Sequence, residues 1–97
     1  MKATTAVPET ELINTDQVLI EGCKKGDQKA QFQIYKLYFK AMYNASLRIV
    51  NNSMEAEGIM MESFISAFEN ISAYQGTVSF GTWLREIVQT NSQLAVA

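Results

Sequence analysis

Apolar residues in this chain recur in steps of three and four, the spacing that gathers side chains on one side of an α-helix. The longest series, Tyr35, Tyr38, Met42, Ala45 and Ile49, is widened by Phe32, Phe39 and Leu47 and predicts a long helix. A second series, Ala56, Met60, Phe64, Ala67 and Ile71, is flanked by Ile59 and Phe68. Phe80, Trp83, Leu84, Ile87 and Val88 form a further stripe, and Val18, Leu19, Ile20 and Cys23 a shorter one near the start. No period-two alternation and no internal repeat competes with this pattern. The expected class is therefore all-α, a small bundle of three to four helices.

Punctuation supports the same division. Thr15 or Asp16 can cap the first helix, Gly26 suits a left-handed helix terminus, and Asp27 can cap the next. Asn51, Asn52 and Ser53 interrupt the long stripe, and Glu55 and Glu57 then suit the positive end of a helix dipole. The stretch from Ala73 to Val78 has turn chemistry, with Ser79 or Thr82 as the cap that follows. Gly58 stands inside a helical pattern, where glycine costs about 1 kcal/mol relative to Ala, so the residue was not selected for helix stability. Residues 1–14 hold the only proline, Pro8, and show no sustained period, so they read as a flexible N-terminal tail before one helical domain, 15–97. The predicted core is Phe32, Tyr35, Phe39, Met42, Ile59, Met60, Phe64, Ile71, Phe80, Leu84 and Ile87.

Composition narrows the function classes. With 97 residues, 47% hydrophobic and 19% charged, the chain can build one core and sits far from the composition of disordered segments. No apolar run approaches the ~20 residues of a membrane span, and no basic segment leads into an apolar block, so a cytoplasmic location is expected. Cys23 is the only cysteine and reads as a structural thiol. Without histidine the chain lacks the usual transition-metal ligand sets and any Cys-His nucleophile pair. It carries no Gly-rich phosphate loop and no nucleophile elbow. Glu55, Glu62 and Glu69 stand seven apart, which describes a row on a helix rather than an acid-base dyad. The expectation is no catalysis, no metal and no cofactor, with the function lying in recognition.

The net charge of -2 hides an uneven distribution. Lys24, Lys25, Lys29, Lys36, Lys40 and Arg48 face Asp27 alone in one segment, whereas Glu55, Glu57, Glu62 and Glu69 lie unopposed between Ser53 and Asn70. One helix is basic and the next acidic. Such faces are either simply solvated or form two binding surfaces, one for phosphates and one for a basic protein.

The order of these features carries a resemblance. A capped helix ending Lys24-Lys25-Gly26-Asp27 is followed by a long helix from Phe32 through Tyr43. Then come Glu55-Ala56-Glu57-Gly58-Ile59-Met60-Met61-Glu62-Ser63-Phe64 and finally Ser79-Phe80-Gly81-Thr82-Trp83-Leu84. Together they resemble region 2 of extracytoplasmic-function sigma factors of RNA polymerase, over about residues 16–92. The resemblance implies a helical bundle whose third helix docks on the clamp of the polymerase largest subunit, here through Glu57, Gly58, Met61 and Glu62. It implies too that the loop and last helix capture unpaired non-template bases of the minus-ten promoter element, through Tyr74, Gln75, Trp83, Arg85, Thr90 and Asn91. Tyr74 and Trp83 offer stacking faces and Arg85 a cation, while the basic helix adds general phosphate attraction.

Departures from the family pattern qualify these expectations. Gly58 stands where the family usually has Asp, and Met61 where it usually has Gln, so two polar partners for the clamp are missing. Thr90 replaces a common Asn, and Asn91, one position later, is turned about 100° around the helix. The basic continuation and the second promoter-recognising domain of family members do not appear before Ala97. Weak, unselective binding to single strands is expected. The alternative is a sigma-like module for protein-protein interaction, with an anti-sigma factor or a second copy as partner and no specific DNA binding.

Overall fold

Helix boundaries fall where the side chains of the breaks can satisfy free backbone groups. The computed structural model describes residues 9–97, which form α1 (Glu9–Lys24), α2 (Gln28–Val50), α3 (Ser53–Glu69) and α4 (Phe80–Val96), with a short 3-10 turn at Ile71–Ala73. After α1 the chain turns at Gly26, whose φ of 81° is open to glycine and costly for other residues. Asp27 then caps α2 by accepting from the Lys29 N–H at 2.9 Å. Asn51 closes α2 in the left-handed region at φ 55°, and Asn52 opens α3 by accepting from the Glu55 N–H at 2.9 Å. Ser79 caps α4, accepting from the Thr82 N–H at 3.2 Å, so of the two candidate caps it is Ser79 that serves.

The first helix starts earlier than expected. It takes in residues 9–14, assigned above to the tail, so Thr15 and Asp16 lie within it and do not cap it. Glu9 and Glu11 in its first turn are favoured by the helix dipole, which the absence of apolar periodicity concealed. Residues 1–8, the rest of the expected tail, lie outside the described residues. Asp16 instead accepts a 2.7 Å hydrogen bond from the Tyr38 hydroxyl and ties α1 to α2. Burial and this carboxylate push the Tyr38 phenol well above its ordinary pKa.

α2 is the central element: it packs against α1, α3 and α4. Ile34, Met42, Leu84 and Val88 are fully enclosed, together with Phe64, Met60, Ile71 and Phe80. Each large apolar side chain so buried contributes roughly 1.5–3 kcal/mol. Tyr35, Phe39 and Ile87, expected inside, are half-buried against this core. Phe32 is a correction: it is 59% exposed, because the inward line of α2 runs through Ala30, Ile34, Met42, Ser46 and Val50. Gly22 permits the close crossing of α1 and α2, since a Cβ there would stand 2.7 Å from the Ala30 Cβ.

Three serines occupy the interior where α2, α3 and α4 meet. Ser92 Oγ lies 2.7 Å from the Val88 carbonyl and 2.7 Å from Ser46 Oγ. A carbonyl cannot donate, so the single Ser92 proton goes to Val88 and Ser46 donates to Ser92. Ser63 bonds the Ile59 carbonyl at 2.7 Å. The asymmetry is testable by thermal melting. Ser46→Ala leaves Ser92 satisfied by Val88 and is expected to cost under about 1 kcal/mol, whereas Ser92→Ala strands a buried hydroxyl and is expected to cost about 1–3 kcal/mol. Equal losses would contradict this assignment.

Candidate functional site

Two surfaces hold the residues singled out by the sequence. On α3 the core takes Ala56, Ile59, Met60, Ser63, Phe64 and Ala67, and the opposite side faces outward. That outward side carries Met54 at 81% exposure, Met61 at 50% and Ile65 at 57%, with Gly58 opening onto empty space. Positions 54, 58, 61 and 65 follow steps of four, three and four, the seam pattern by which one helix packs on another. Glu55, Glu62 and Glu69 border the seam on one side and Glu57 on the other, all exposed. Glu57, Gly58, Met61 and Glu62 are thus brought together on one face. Met54 and Ile65 belong to it and were missed, although their spacing was readable.

This face suits a helix with basic flanks. Its centre is apolar and its borders are acidic, so hydrophobic contact and charge complementarity act together on the same partner. The side of α3 next to α2 ends in a groove lined by Tyr35, Phe39, Lys40, Tyr43, Glu57 and Met60.

The second surface is the segment from Tyr74 through α4. The Tyr74 hydroxyl donates to the Val78 carbonyl at 2.6 Å and closes the loop on itself. Its ring meets Phe80 edge-on at 5.5 Å and Trp83 at 5.3 Å, and Phe80 and Trp83 are 5.7 Å apart. Tyr74 and Trp83 are therefore half-buried and hold the loop against α4, with only part of each ring outward. Gln75, Arg85 and Thr90 are exposed. Asn91 turns inward: its amide donates to Ser63 Oγ at 3.1 Å and links α4 to α3. The six residues do not form one patch, since Asn91 is engaged in helix packing while Arg85 and Thr90 project from α4. A cleft between α1 and the loop is lined by Asp16, Glu21, Lys24, Gln75, Ser79 and Phe80.

Cys23 is buried, and desolvation followed by the nearby Asp27 charge raises its thiol pKa, so it is held as the thiol. Among the described residues no group of three or more Cys, Asp or Glu side chains gathers to hold a metal, and no helix is long and apolar enough to cross a membrane.

Comparison with known proteins converges on one family. The chain is 40% identical over 68 residues to the ECF RNA polymerase sigma factor SigW of Bacillus subtilis, covering 70% of this chain and 36% of that protein. It is 36% identical over 84 residues to the ECF RNA polymerase sigma-E factor of Salmonella typhimurium, covering 86% of this chain and 44% of that one. The chain spans about two fifths of the length of these relatives. Among solved structures, an engineered region 2 of sigmaE in complex with GTAAAA superposes with a TM-score of 0.77 at 30% identity, covering 84% of each chain. No family model matches the chain.

The role of Gly58 can be separated from that of the other α3 residues by stability. Gly58→Ala meets nothing within 4 Å and is expected to raise stability by about 1 kcal/mol. Gly22→Ala must displace Ala30 and is expected to lower it by about 1–3 kcal/mol. Chemical denaturation of both variants checks the contrast, which fails if they shift stability in the same direction.

Proposed function

Because the chain belongs to the region 2 family of extracytoplasmic-function RNA polymerase sigma factors, we propose that it docks on RNA polymerase through α3 and supports opening of the minus-ten promoter element. The observation that carries this reading is the outward face of α3, where an apolar seam flanked by glutamates is left without a partner inside the bundle. A basic coiled coil such as the clamp of the largest subunit has the complementary chemistry. The role is recognition and not catalysis.

Single-strand binding is the second part of the proposal. The related sigmaE region 2 was solved with GTAAAA, and the corresponding end of this chain presents Gln75 and Arg85 beside the partly open rings of Tyr74 and Trp83. Stacking on such rings is worth roughly 1–3 kcal/mol per base, yet here the rings are partly used in packing. Asn91 is already bonded to Ser63, so its amide is not free to read a base. Weak and salt-sensitive association follows. A labelled GTAAAA strand should bind with little preference over a scrambled strand, and Arg85→Ala should weaken it without lowering the melting temperature. Sub-micromolar, sequence-selective binding would contradict the reading.

The apolar Gly58 and Met61 favour a protein-interaction role without specific DNA binding as a second reading, with an anti-sigma factor as a further partner. One titration separates the two. Against an isolated clamp fragment, the double variant Gly58→Asp, Met61→Gln is expected to bind at least tenfold more tightly than the unaltered chain, about 1.4 kcal/mol. Equal affinities would mean that the two positions do not limit docking. If neither chain binds, the interaction-module reading replaces the polymerase one.

A further inference from the structure

The charges on the outside of this bundle answer each other. α2 turns Lys29, Lys36 and Lys40 outward, beside Phe32 at 59% exposure and Leu37 at 57%. The Lys36 ammonium lies 5.3 Å from the centre of the Phe32 ring and leaves the two side chains as one basic, apolar ridge. On α3 the seam of Met54, Met61 and Ile65 is bordered by Glu55, Glu62 and Glu69. Lys29 and Lys36 are seven residues apart, as are successive members of the glutamate row. Both repeats rise about 10.5 Å along a helix, so the rows are in step.

We propose that the free protein pairs with a second copy of itself, the basic face of α2 in each copy lying on the acidic face of α3 in the other. The geometry permits closure. α2 and α3 are consecutive helices of a tight hairpin turned through Asn51 and Asn52, so they run antiparallel side by side. A two-fold axis along the groove between them lays α2 over the partner's α3 and α3 over the partner's α2 at once. The contact is isologous and leaves no unmatched face to propagate a filament.

Charge decides the occupant. Pairing α3 with α3 would set glutamate rows against each other, and pairing α2 with α2 would do the same with lysines; both are disfavoured. The crossed arrangement matches every row and covers Phe32, Met61 and Ile65 as well. A net charge of only -2 offers little overall repulsion against association. Pairing would cover Met61 and Glu62, and so compete with polymerase docking. That consequence rests on the docking reading, whereas the pairing itself does not.

Sedimentation of the full chain tests the proposal. At roughly 0.05 M salt the unaltered protein should sediment as a dimer, and at roughly 0.5 M salt, where exposed charges are screened, its dissociation constant should rise at least tenfold. One variant carries Lys29→Glu with Lys36→Glu and another Glu62→Lys with Glu69→Lys. All four positions are exposed, and circular dichroism should show both variants folded. Each alone should be monomeric, because its two faces then carry the same sign. Mixed in equal amounts they should form a one-to-one dimer, because each supplies the face the other has lost. A chain that is monomeric at low salt up to roughly 0.1 mM would overturn the proposal. So would a dimer indifferent to salt and to both variants, or a mixture of variants that stays monomeric.

Discussion

Burial of the inward side of α2 is the interaction on which the rest of the molecule depends. Ile34 and Met42 are enclosed by residues from the other helices, including Phe64 of α3 and Leu84 and Val88 of α4. Once those stripes are spent on α2, each remaining helix has a defined outer side. α3 is the clearest case. Its inner side is consumed by Ala56, Met60, Phe64 and Ala67, so Met54, Met61 and Ile65 on the other side cannot be covered by any described part of the same bundle. An amphipathic helix needs one apolar side to fold; α3 carries a second, and that excess points to a partner.

The α4 end works differently. Tyr74, Phe80 and Trp83 pack on one another, and Tyr38 meets Phe80 at 5.6 Å while bonding Asp16. The loop before α4 is thereby fixed by aromatic contact and by the Tyr74–Val78 hydrogen bond, at the cost of ring surface that could stack on bases. The inward turn of Asn91 to Ser63 has the same character: it strengthens the joint between α3 and α4 and withdraws an amide from the surface. Both changes exchange recognition for packing.

Much of the fold was legible because capping and periodicity are local. Gly26, Asp27, Asn52 and Ser79 act as caps or terminators as their chemistry requires. The phase of α2 was harder to read. Its inward line passes through Ser46, whose hydroxyl looks polar in a sequence and is buried only because Ser92 stands opposite, 46 residues away. Scoring Ser46 as outward shifted the stripe toward Phe32 and away from Ile34. Residues 9–14 were likewise assigned to a tail, since a helix without an apolar stripe gives no periodic signal. At the site, exposure of Glu57, Gly58, Met61 and Glu62 followed from the helical period. The inward Asn91 did not, because its partner Ser63 lies on another helix.

Methyl signals of the methionines offer the most direct test that the outer side of α3 is a docking surface. Met42 and Met60 are buried, whereas Met54 and Met61 are exposed on α3, so the residues report core and surface separately in one spectrum. In dilute protein, addition of core RNA polymerase should shift or broaden Met54 and Met61 more than Met42 and Met60, and the effect should be lost on Glu57→Lys with Glu62→Lys. Signals from Met54 and Met61 that stay unchanged at saturating polymerase would contradict the account.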